Sequence, residues 1–170
     1  MAVNFQATSK QQGDMFEDIS VKVLTDAGFR IDAQRERIHD AGVEVDIIAT
    51  NRHEISFYIT CKGSYRGERP GTKRTDTLKK AIAEAVMLNH QGWGPVLLLT
   101  SHKPTAGAGD AMMNNIDPEI LFDVIEPMND FKRLAWLAEA DEAALRHDLQ
   151  SRRTLFMTKR PQRGYGEWTG

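Results

Sequence analysis

Apolar residues recur at helical spacing from about Lys10 to Ala27, with Phe16, Ile19, Val23 and Leu24 on one stripe, and Gly28 ends that period. From Phe29 the pattern turns extended. The run GVEVDIIAT, residues 42–50, is rich in β-branched residues and predicts a strand between Gly42 and Asn51. EISFYITCKG, residues 54–63, predicts another, and NRHE between them reads as a hairpin turn. Residues 63–75, GSYRGERPGTKRT, hold three glycines and a proline and read as a long basic loop. A helix is expected from about Thr75–Thr77 to Gln91-Gly92, with Leu78, Ile82, Ala85 and Val86 as its apolar stripe. PVLLLT, residues 95–100, is the kind of apolar run that a central strand covered on both faces requires.

The rest of the chain extends the alternation. A short helix is expected after Pro104, running through Met113, and EILFDVI, residues 119–125, predicts a further strand. Asp130 is placed to cap a last helix from Phe131 to about Leu149. Residues 151–170 carry Arg, Pro and Gly without a sustained period, and a basic, flexible tail is expected there. The resulting order, α-β-β-β-α-β-α-β-α, predicts an α/β fold: a central mixed sheet between helices, a three-layer α/β/α sandwich. With 170 residues, one domain over 1–150 is the expectation.

Charge alters this picture locally. The net charge is only −2, yet residues 61–80 hold seven basic side chains against two acidic ones, and residues 151–170 hold five against one. Basic zones on a nearly neutral body make an anion-binding face. Cys61 is the only cysteine, which excludes a disulfide framework within one chain, and the five histidines show no metal-ligand spacing. The N-terminal segment lacks the basic-then-apolar order of a signal peptide, and no apolar run approaches the length of a membrane span. A cytoplasmic protein with no membrane association is the expectation.

Period two then assembles candidate chemistry. Glu44, Asp46 and Ile48 share one face of their strand; Tyr58, Thr60 and Lys62 share one face of the next. If the hairpin pairs these strands, two carboxylates and a lysine project together near Gly63. An unpartnered Asp46 among valines and isoleucines is costly, so a covered face needs a cation or a hydrogen-bond network. From spacing alone, a solvent-facing strand surface with these charges fits equally well.

In order and spacing these residues resemble the PD-(D/E)XK nuclease superfamily, the restriction-endonuclease-like fold, in its archaeal-resolvase-like and Mrr-like branches. QQGDMFEDISVKVLTDAGF looks like the family's opening helix, with Glu17 at the helix Glu. GVEVDIIA is similar to the strand that delivers the metal-binding Asp, matched by Asp46, and YITCKGS resembles the acidic-X-Lys strand, matched by Lys62. Thirteen residues separate Asp46 from Thr60, and the likeness spans roughly residues 10–126. It departs at Thr60, where the family carries Glu, Asp or Gln.

The resemblance implies a Mg²⁺- or Mn²⁺-dependent DNA endonuclease, dimeric in order to cut both strands. Asp46 and the backbone carbonyl of Cys61 would hold the metal, with Glu17, or else Glu44, compensating for Thr60. Lys62 would stabilise charge on the phosphate. Ser64, Arg66, Arg69, Lys73, Arg74, Lys79 and Lys80 would hold the nucleic-acid backbone. A carboxylate restored at position 60 is expected to raise metal affinity. The rival expectation is a DNA-binding or assembly protein that keeps the fold with its third ligand lost. The pattern does not separate DNA from RNA.

Overall fold

A computed structural model describes residues 5–64 and 71–159. The elements run in the order α1 (Phe5–Ala27), β1 (Arg30–Ile38), β2 (Val43–Thr50), β3 (Ser56–Lys62), a 3₁₀ turn (Gly71–Lys73), α2 (Thr75–His90), β4 (Val96–Thr100), α3 (Gly107–Asn114), β5 (Asp123–Ile125), α4 (Phe131–Glu139) and α5 (Glu142–Lys159). The sheet is open and mixed, in spatial order β1-β2-β3-β4-β5. The first three strands are antiparallel neighbours, whereas β4 and β5 join in parallel. Five helices accompany it among the described residues. None is long and apolar enough to cross a membrane.

Strand alternation divides the interior into two cores. Phe57, Ile59, Leu97 and Leu99 pack with Phe16 and Leu24 of α1, Leu134 and Leu137 of α4 and Leu145 of α5. Val96 and Leu98 pack instead with Leu78, Ala81, Ala85 and Leu88 of α2. Every residue of β4 is buried, as the PVLLLT run requires of a strand covered on both faces. Burying each such Leu or Phe is worth about 1.5–3 kcal/mol, and this fixes the rotation of α1 and α2 about the sheet.

Several local expectations are corrected. The stripe of α2 is Leu78, Ala81, Ala85 and Leu88, with Val86 left exposed, so the helix is rotated from the face that its larger apolar residues suggest. The last helix is two helices. Asn51 Nδ2 donates to the carbonyls of Leu137 and Ala140, ending α4, and the Asp141 carboxylate accepts the Ala144 N–H at 2.8 Å, starting α5. Asp130 stands at the N-cap of α4 without capping it through its side chain, because its carboxylate takes Lys103 Nζ at 2.7 Å and the Glu126 N–H at 3.0 Å.

A further correction concerns residues 151–159, which lack a sustained period yet form the end of α5. They are held by ions rather than by an apolar stripe. Asp148 pairs with both Arg133 and Arg152, and the Arg152 guanidinium lies 4.7 Å from the centre of the Phe122 ring. Arg160 and Arg163 of the expected tail lie outside the described residues, as do Arg66 and Arg69.

Candidate metal centre

The β2–β3 ladder runs from Thr50 opposite Ser56 to Ile47 opposite Ile59. Beyond it, β3 continues to pair with β4, setting Thr60 beside Leu98 and Lys62 beside Thr100. Where the ladder ends, a side chain takes over. Asp46 Oδ2 accepts the backbone N–H of Cys61 at 2.5 Å. Asp46, Thr60 and Lys62 thus meet on the α2 face of the sheet, as period two predicts.

The fourth member comes from α2. Glu84 Oε2 accepts the Thr60 hydroxyl at 2.9 Å and lies 3.1 Å from Lys62 Nζ. Lys62 Nζ is also 3.7 Å from Asp46 Oδ2, and the Thr60 hydroxyl is 3.3 Å from that same oxygen. A hydroxyl has one proton, so the shorter contact takes the hydrogen bond, while Lys62 offsets the repulsion between the carboxylates. The cluster is enclosed: Lys62, Glu84 and Asp46 are 14%, 15% and 17% exposed, and Thr60 is buried. It opens into a cleft of about 400 Å³ whose lining includes Glu44, Lys80 and Met87.

Glu84 escapes the motif, although the sequence carries a signal for it. It lies three residues after Ala81 and four before Leu88, both buried, so it is a carboxylate on the inward face of α2. A charge at such a position needs a partner.

The expected compensators are placed differently. Glu17 Oε2 accepts Arg35 Nε at 3.0 Å, and Arg35 also binds Asp14. Burial pushes the Glu17 carboxyl above its ordinary range; Arg35 opposes this and the charge of Asp46 adds to it. Glu17 therefore senses Asp46 across the site but is held by Arg35, a residue with φ of +53° inside β1. Glu44 is exposed at the cleft rim, opposite Arg37 in the β1–β2 register. The Cys61 thiol is pushed far up by burial and then by Asp46, so it stays protonated and inert.

Two glycines keep this end of the sheet in place. A Cβ on Gly63 would sit 1.9 Å from the Phe16 ring, so only glycine lets the chain leave β3 over that core residue. Gly71, at φ of +60°, presses against Thr100 and Ser101, where a Cβ would meet Thr100 Oγ1 at 2.7 Å. The Ser64 hydroxyl donates to Gln12 Oε1 at 2.6 Å, and its N–H donates to Ser101 Oγ at 3.0 Å. Lys73, Arg74, Lys79 and Lys80 are exposed in the 3₁₀ turn and at the start of α2, and Lys80 lines the cleft.

As a candidate cation site, the cluster offers the carboxylates of Asp46 and Glu84 and the Thr60 hydroxyl. These are hard oxygen donors, the chemistry that suits Mg²⁺ or Mn²⁺. Among the described residues no three His, Cys, Asp or Glu side chains gather to hold a metal unaided, so a cation here would have to take its remaining ligands from neutral protein oxygens and water. Mg²⁺ is commonly held in this way, by one or two carboxylates with several waters retained. No family model, curated protein or solved structure matches the chain.

Proposed function

We propose that this protein is a Mg²⁺- or Mn²⁺-dependent endonuclease that hydrolyses DNA phosphodiester bonds in the cleft between β2, β3 and α2. Its scaffold in this reading is a restriction-endonuclease-like three-layer sandwich, for which the order α-β-β-β-α-β and the mixed sheet speak. One observation carries the reading. Glu84 brings a second carboxylate to Asp46 and Lys62 at the place where Thr60 supplies none.

Asp46 and Glu84 then provide the negative charge that binds the cation, and the Cys61 carbonyl adds a neutral oxygen. A divalent cation held there supplies Lewis acidity toward a phosphate oxygen and lowers the pKa of water. Cys61 N–H fixes the Asp46 carboxylate, and Thr60 fixes that of Glu84. Lys62, as an ammonium between two carboxylates, is suited to stabilising charge on the phosphorane rather than to accepting a proton. Lys73, Arg74, Lys79 and Lys80 give salt-dependent, sequence-independent affinity for the backbone. Glu17, held by Arg35, tunes the field around Asp46. A homodimer with two such clefts can cut both strands.

Incubation with supercoiled plasmid and Mn²⁺ tests the reading, with Asp46→Ala and Lys62→Ala alongside and a labelled RNA as second substrate. Metal-dependent nicking lost in both variants is the expected result. Cleavage undiminished in both would refute the site, and salt-sensitive DNA binding without cleavage would favour a binding protein.

A further inference from the structure

Lys62 occupies a specific place in the cluster. Its Nζ faces Glu84 Oε2 at 3.1 Å and Asp46 Oδ2 at 3.7 Å, and the Thr60 hydroxyl faces those same two oxygens. The ammonium therefore neutralises the oxygens a cation would use. A pair this enclosed is not readily broken without a replacement charge, since an uncompensated buried carboxylate is costly.

The backbone beneath Lys62 is fixed. It pairs with Thr100 of β4, the Thr100 hydroxyl donates to the Lys62 carbonyl at 3.0 Å, and Gly63 is pressed against Phe16. The four-carbon stem remains the part able to move. Lys80 differs: it is 3.8 Å from the other oxygen, Glu84 Oε1, and 72% exposed, so water screens it.

We propose that Lys62 is the resident counter-ion of the cation site. Its ammonium holds Asp46 and Glu84 together in the metal-free protein, and a divalent cation binds by displacing it. The freed ammonium is then available to a phosphate in the cleft, so the lysine reaches its working state only after the cation is bound. This rests on reading Asp46 and Glu84 as a cation site. It adds that Lys62 opposes metal binding, whereas a purely electrophilic lysine has no such effect in the absence of substrate.

Titration of the metal-free full chain with Mn²⁺, without nucleic acid, tests this by calorimetry and by the signal of free Mn²⁺ in electron paramagnetic resonance. Lys62→Met is expected to bind Mn²⁺ about tenfold more tightly than wild type, and Lys62→Arg to stay within about threefold of it. Thermal unfolding gives a second readout, in which Mn²⁺ raises the midpoint of Lys62→Met by more than that of wild type. Lys62→Gln serves if the Met variant does not fold without metal. Equal or weaker binding by the neutral variants would overturn the counter-ion role while leaving the cation site standing. Absence of Mn²⁺ binding in every protein would overturn both.

Discussion

Thr60 donates its hydroxyl to Glu84 Oε2 at 2.9 Å, joining β3 to the inward face of α2. The position at which the resemblance departs is thus the one that holds a second carboxylate beside Asp46. A hydroxyl is a poor cation ligand, but here it orients a carboxylate delivered from another element.

Glu84→Gln should therefore behave like a loss of the site. In the proposed mechanism the cation would supply several kcal/mol of charge stabilisation, so cleavage should fall on the order of 100-fold or more. Initial rates of plasmid nicking, with circular dichroism as a check on folding, measure it.

Thr60→Glu, which the motif expects to raise metal affinity, should destabilise the metal-free protein. Thr60 is 3% exposed and already touches two carboxylates, and a third brings like charge and added volume into an enclosed site. Metal-free stability should drop by about 1–3 kcal/mol, seen in urea unfolding. A more stable variant would contradict this.

Gly63→Ala should destabilise the fold and disturb Lys62 together. The added methyl lands 1.9 Å from the buried Phe16 ring, and overpacking of this kind costs about 1–3 kcal/mol or more. A lowered melting midpoint checks it, and pairing with Phe16→Leu should recover part of the loss.

Glu17 gives a pH-dependent test. Its native carboxyl is raised by burial, with Asp46 adding to the effect, so ionising it opposes folding. The stability linked to its proton is complete below the unfolded-state value and is lost as pH rises through the raised native value. Glu17→Gln removes this dependence and can still accept a hydrogen bond from Arg35. Relative to wild type, the variant should gain stability from acidic to neutral pH, as read from urea midpoints at several pH values. A constant difference across that range would contradict the assignment.

For nucleic-acid binding, paired removal of Lys79 and Lys80 should weaken affinity uniformly across sequences. Every phosphate that no longer meets a lysine should reduce the slope of log affinity against log salt by about 0.9 for duplex DNA. Fluorescence anisotropy over a salt series, with Ca²⁺ in place of Mg²⁺, measures this.

The strands are legible in the sequence because β2 and β3 alternate cleanly and NRHE marks their turn. That alternation, once the hairpin pairs the two strands, sets Asp46, Thr60 and Lys62 on one face, where the structure finds them. Glu84 is harder to see because it lies twenty-two positions beyond Lys62, across a long loop, and depends on the rotation of α2. Taking Val86 as buried turns that helix the wrong way; Ala81 and Leu88, the less conspicuous positions, decide it. The end of α5 is hidden for another reason. Arg133, Asp148 and Arg152 hold it through ion pairs that no apolar period announces.

The location of the bound cation tests the account most directly. In a crystal soaked with Mn²⁺, the anomalous difference map should peak between the Asp46 and Glu84 carboxylates, beside the Cys61 carbonyl. Asp46→Asn and Glu84→Gln should each lose that peak. A Mn²⁺ peak held by Glu17 or Glu44 without Glu84, or no peak in the cleft at saturating Mn²⁺, would contradict the account.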